Sequence, residues 1–196
     1  MKRILLIFTF LLLPLGGGLS VAQDKGPDPS VGQALEKARQ MADQLADQVR
    51  GVLFEELKKG GYPGAVQACS ELAQEITRQF NTQPGHLIRR VSLKYRSPRD
   101  IPDDYEKGKL EEFDRLQQER RLPPEIFEIQ RVGHQPLLRY MKPLITLPMC
   151  LPCHGPREKI PEEVKGILER KYPHDRATEY RTGDVRGAIS VLISLP

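Results

Sequence analysis

Cys150-Leu151-Pro152-Cys153-His154 puts two thiols three residues apart and an imidazole directly behind the second. That spacing lets both sulfurs form thioethers to one haem while the histidine binds iron from the same side, the attachment signal of a c-type haem. Two other chemistries share the Cys-x-x-Cys core. A thioredoxin-like dithiol wants its first thiol at the N-terminus of a long helix, whose dipole lowers the thiol pKa; here Gly155-Pro156 follows the motif at once. A structural zinc site wants four ligands, and the one remaining cysteine is Cys69. His154 is therefore the expected proximal iron ligand, with Cys150 and Cys153 as covalent anchors of a single haem c.

The far face of that iron is open to several side chains. Cys69, His86, His134, His174, Met141 and Met149 all carry suitable atoms, and a vacant sixth position is a further option. The three histidines sit in polar, turn-like stretches, where solvation is their ordinary fate. Cys69 shares a helical face with Ala65, Val66, Leu72, Ala73, Ile76 and Phe80, so it points at whatever that helix packs against. The bland reading of such a cysteine is a small buried hydrophobe. Arg90 and Arg96 can fork onto haem carboxylates, although solvated strand-edge arginines would look the same. Tyr140 and Met141, shortly before the motif, are expected to line the pocket.

The elements that position these residues follow from pattern. Ser30 with Gln33 reads as a capping box opening a long helix, with apolar positions from Val31 to Leu53 and an end at Gly60-Gly61. Pro63 opens a second helix, the one bearing Cys69. Leu87 to Tyr95 alternates as a strand. Asp103 and Glu106 form another capping box before a helix carrying Tyr105, Leu110, Phe113 and Leu116. Ile126 to Val132 and Leu137 to Ile145 read as a hairpin turning at Gly133-His134-Gln135. A short helix from Pro161 to Lys171 and a strand from Val185 to Ile193 complete the chain. Helices first and strands afterwards imply an α+β fold with an antiparallel sheet.

The 196 residues fit one domain, with 39% hydrophobic and 29% charged residues and no tryptophan. Residues 1–22 read as a signal peptide: Lys2-Arg3, an apolar run from Ile4 to Leu13, then small residues up to Ala22. That run is shorter than a membrane span of about 20 residues, so cleavage near Ala22-Gln23 and a soluble periplasmic product are expected. Residues 23–29 are a polar leader, and 30–196 form the haem-binding domain. Without Lys2 and Arg3 the formal net charge of +4 falls to +2, with basic and acidic residues interspersed, so no nucleic-acid face is expected. Three cysteines in an oxidising compartment make an odd count. Two thioethers and one protected sulfur resolve it.

Longer stretches are similar to a family of periplasmic haem-c domains with a PAS-like fold, found alone and as the sensor portion of histidine kinases and chemoreceptors. The resemblance rests on Ala68-Cys69, Arg90-Val91-Ser92-Leu93-Lys94, Arg96-Ser97-Pro98, Ile101-Pro102-Asp103, Arg139-Tyr140-Met141-Lys142-Pro143-Leu144, Cys150 to Gly155, Tyr172-Pro173, Asp175-Arg176-Ala177 and Gly183 to Ser190. It implies a PAS-like antiparallel sheet with long N-terminal helices packed against it. It also implies iron held between a histidine and a cysteine thiolate, for which Cys69 is the matching distal residue, and hence a low reduction potential. Ser97 and Asp100 depart from the asparagines usual in the family's loop, which alters hydrogen bonding near the haem edge. No kinase or HAMP region follows the haem domain in this sequence.

These readings favour a redox- or gas-responsive sensor-like module acting through a partner. A periplasmic electron-transfer cytochrome is the first alternative. An enzyme, either thiol oxidoreductase or peroxidase-like, is the second, and is disfavoured because a sixth protein ligand blocks the open site that peroxidase chemistry needs.

Overall fold

The computed structural model describes residues 29–196. The expected signal peptide, and the leader up to residue 28, lie outside the described residues.

Helix α1 (Pro29–Phe80) is two helices in one run, interrupted where Gly60 and Gly61 leave helical geometry, Gly61 at φ 59° and ψ −157°. A positive φ costs a side-chain-bearing residue through its Cβ, and glycine escapes that cost. Pro63 then stands in the first turn of the second limb, where its missing N–H does no harm. The helix starts at Pro29, one residue ahead of the expected cap. The remaining elements are β1 (His86–Val91), α2 (Asp104–Gln118), β2 (Ile126–Val132), β3 (Gln135–Ile145), α3 (Leu151–His154), α4 (Glu162–Lys171) and β4 (Val185–Ser194).

The four strands form one antiparallel sheet in the order β1-β4-β3-β2. β4 lies between β1 and β3, which is why its sequence is apolar on both faces: positions 187 to 191 are all buried. The first limb of α1 covers one face. Ala34, Ala38, Met41, Ala42 and Leu45 pack there on Ile88, Leu138, Tyr140, Ile189 and Val191. Three alanines in that stripe let the helix lie close to the sheet. Helix α2 covers the other face, setting Leu110 and Phe113 against Val91, Met141 and Ala188. Each of these large apolar side chains contributes about 1.5–3 kcal/mol by leaving water. α2 begins with the expected capping box, in which Asp103 Oδ1 accepts from the Glu106 N–H and Glu106 Oε2 from the Asp103 N–H, both at 2.8 Å.

β1 is shorter than the expected Leu87 to Tyr95. The Ser92 N–H leaves the ladder to bond Asp100 O at 3.1 Å, and Ser97 caps a turn of 3₁₀ helix from Pro98 to Asp100. Ser97 Oγ there accepts from the Arg99 N–H, so the residue that departs from the family's asparagine caps this turn.

Where β4 enters the sheet, Gly187 passes close to the end of β1, and a Cβ at that position would lie 2.3 Å from Val91 O. Gly187→Ala is therefore expected to lose about 1–3 kcal/mol of stability, or about 2–4 °C in Tm per kcal/mol. Thermal unfolding followed by circular dichroism checks this; an unchanged Tm would contradict it.

Candidate cofactor site

No residue from 46 to 64 is fully buried, although Val49, Val52, Leu53 and Tyr62 are apolar or aromatic. The reason is a cavity of about 620 Å³ lying between the bend of α1, the sheet and the Cys-x-x-Cys-His segment. Its apolar walls include Leu45, Val49, Leu53, Val66, Leu144 and Ile189. Such a volume, mostly apolar with a few convergent polar groups, is the ordinary form of a cofactor pocket.

Four residues singled out by chemistry line this one cavity: Cys69 from the second limb of α1, and Cys150, Cys153 and His154 from the motif. The motif occupies a short 3₁₀ turn, Pro148–Cys150, running into the single-turn α3. All three cysteines are free thiols. Burial pushes the Cys153 thiol up to about 11, and the neighbouring Cys69 and Cys150 add to the rise while Arg96 opposes it. Burial likewise raises Cys69, against Arg90 and Arg96. Neither sulfur has the lowered pKa of an activated thiol. Among the described residues, no group of three His, Cys, Asp or Glu is arranged to hold a bare metal ion.

His154 is set up as a ligand. Its Nδ1 lies 2.7 Å from Ala177 O, so Nδ1 carries the proton and donates it, and among the described residues the Nε2 lone pair has no hydrogen-bond partner. Metal-binding histidines are typically fixed in this way, by the other ring nitrogen bonding a carbonyl. Burial, with Arg186 and Arg96 nearby, holds the imidazole well below its usual pKa and so keeps it neutral. Tyr180 meets the ring edge-on at 6.3 Å.

The cavity's arginines divide by what they already hold. Arg96 lines the cavity, but its guanidinium is committed: Nε donates to Asp175 Oδ2 at 3.0 Å, and Nη2 donates to Cys153 O at 2.5 Å and Ala177 O at 3.4 Å. Those bonds brace the motif, and Nη1 is the guanidinium nitrogen that they leave for a carboxylate. Among the described residues Arg90 forms no salt bridge, and its buried Nε is unbonded. Arg186 is similar: Nη1 reaches Ser92 Oγ at 2.9 Å and the side chain packs over Tyr180, yet Nε is unbonded. Sequence reading missed Arg186, although its place at the mouth of a glycine-marked strand was a usable signal. Asp100 also faces this space, its carboxyl raised by burial and restrained by Arg90, Arg186 and a hydrogen bond with Gln74.

Tyr140 and Met141 do not line the pocket. Tyr140 is fully buried between α1 and the sheet, and its hydroxyl donates to Glu125 Oε2 at 2.9 Å. Met141 points to the opposite face, among the side chains under α2. Strand alternation sends neighbours to opposite sides, and neither side at this level meets the cavity. Of the other potential distal ligands, Met149 alone lines it. His86 is tied to Phe80 O at 2.7 Å, and His134 and His174 are exposed.

The residues present fit a haem. Two thiols and a neutral imidazole stand on one wall, a third thiol on another, and Arg90 and Arg186, which form no salt bridge among the described residues, can receive acidic side groups.

No curated protein matches this chain. A solved structure does: the crystal structure of the cyanobacterial heme-protein Tll0287, with a TM-score of 0.64 at 23% identity, covering 82% of this chain and 94% of that one. At that identity the likeness establishes the fold, an α+β arrangement with a long N-terminal helix on a four-stranded antiparallel sheet. The Tll0287-like family matches residues 30–194, nearly all of the described chain. The chain belongs to the Tll0287-like family.

Proposed function

We propose that this chain is an exported c-type haem protein whose iron is held by His154 and Cys69, and that it works as a redox-responsive, sensor-like module in the periplasm. The observation that carries the reading is the meeting of Cys69, Cys150, Cys153 and His154 around one cavity, with His154 Nδ1 tied to Ala177 O and Nε2 left free. The resemblance of the fold to a protein named as a heme-protein supports it. The haem would supply a one-electron iron centre with room for one exchangeable ligand.

The two ligands are held very differently. His154 sits between two anchoring cysteines, is bonded through its ring to Ala177 O, and has its own carbonyl tied to the Tyr180 N–H at 3.0 Å. Cys69 rides on the second limb of α1, beyond the break at Gly60 and Gly61. Cys69 is thus the ligand free to move, and its helix is the element that can carry a change of state to a partner. A thiolate favours ferric iron, so Cys69 would be the ligand more readily released on reduction.

Two outcomes are expected. The ferric wild-type protein should give thiolate-type absorption and EPR spectra, and Cys69→Ala should lose them while keeping covalently bound haem on a denaturing gel. An unchanged spectrum in the variant would refute the ligand assignment. The ferrous wild-type protein should bind carbon monoxide, seen as a shift of its main absorption band. Failure to bind, with the same six-coordinate spectrum in both oxidation states, would favour an electron-transfer cytochrome instead.

A further inference from the structure

The proximal side of the cavity is closed by a small ring of hydrogen bonds whose centre is the Ala177 carbonyl. That oxygen accepts from two donors, His154 Nδ1 at 2.7 Å and Arg96 Nη2 at 3.4 Å. The same Arg96 nitrogen also donates to Cys153 O at 2.5 Å. Asp175 completes the ring, accepting from Arg96 Nε at 3.0 Å through Oδ2 and from the Ala177 N–H at 2.8 Å through Oδ1. The ion pair is almost wholly enclosed, with side chains 12% and 9% exposed. In such surroundings hydrogen bonds are electrostatically strong and polarise one another.

We infer that Arg96 is a positioning residue that tunes the proximal ligand: by sharing the Ala177 carbonyl with His154, it weakens the acceptor of the Nδ1–H bond. The inference rests on the haem reading of this site. The stronger the acceptor at Nδ1–H, the more imidazolate character the ring takes and the more basic Nε2 becomes. A more basic Nε2 favours Fe(III) over Fe(II). An arginine N–H drawing on the same oxygen works the other way, and its positive charge adds to the effect. Arg96 therefore raises the reduction potential that a thiolate ligand opposite would otherwise depress. It also couples the tuning to the attachment loop, because the Cys153 carbonyl lies on the same guanidinium nitrogen.

A purely architectural role predicts something else, and Arg96→Lys separates the two. Lysine keeps the charge beside Asp175 but lacks the second guanidinium nitrogen that reaches the carbonyls, leaving Ala177 O to His154 alone. The measurements are a potentiometric titration of the haem-loaded wild type and Arg96→Lys, and the Fe–His stretching band in ferrous resonance Raman spectra. The Raman comparison uses a Cys69→Ala background, in which His154 is the single protein ligand. Arg96→Lys is expected to retain haem, titrate at a lower potential and show a higher Fe–His frequency. Unchanged potential and frequency would overturn the inference. So would failure of Arg96→Lys and Arg96→Gln to hold haem, since that would make Arg96 a residue of assembly only. A wild-type protein without haem would instead overturn the haem reading itself.

Discussion

The contact between His154 Nδ1 and the Ala177 carbonyl, at 2.7 Å, is the constraint on which the rest of the site depends. It fixes the tautomer, and with it the nitrogen that faces the cavity. The carbonyl is held in place by backbone zippering around it: Arg176 N–H to Tyr95 O at 3.1 Å, Glu179 N–H to Gly155 O at 3.0 Å and Tyr180 N–H to His154 O at 3.0 Å. A four-residue helix has little stability of its own. The motif keeps its shape because residues 175–180 run alongside it and feed into β4, the apolar strand paired on both sides. The most rigid element of the fold thus sets the orientation of its most chemically demanding side chain.

The opposite wall is built to other rules. α1 packs tightly at its start, through an alanine stripe, and again near Ala65, Val66 and Ala73. Between these, the chain bends at Gly60 and Gly61 and stands off from the sheet, leaving the space that a flat cofactor would fill. The aromatic content is only 6%, with no tryptophan. The protein interior is close-packed elsewhere in folded proteins as a rule, and an apolar hollow of this size lined by half-exposed aliphatic side chains costs stability until it is filled.

Much of this was legible from residue types and spacing. The helix break at Gly60-Gly61, the capping box at Asp103 and Glu106, the hairpin around Gly133 and the apolar last strand each have a local cause, and each stands where the pattern put it. The meeting of Cys69 with the motif was suggested by helical phase and by family resemblance; about eighty residues of chain separate them, and only the packed sheet shows that they share a cavity. Tyr140 lies outside the cavity and Arg96 on its wall, and each was placed by what surrounds it in space. Tyr140 is near the motif in sequence, yet strand geometry turns it under α1, where Glu125 takes its hydroxyl. Arg96 does reach the cavity, and Asp175 and two carbonyls, all remote in sequence, take its Nε and Nη2 donors. Pairings of that kind leave no local trace. Arg90 and Arg186 differ because neither forms a salt bridge among the described residues, although Asp100 lies near both.

Iron K-edge X-ray absorption of the haem-loaded protein tests the ligand pair most directly, because it counts sulfur scatterers at the metal. Thioether sulfurs formed by Cys150 and Cys153 at the porphyrin edge would lie outside the iron's first coordination sphere. The account predicts one sulfur and otherwise nitrogen around ferric iron in the wild type, and nitrogen or oxygen alone in Cys69→Ala. A ferric wild-type spectrum without a sulfur neighbour would contradict it.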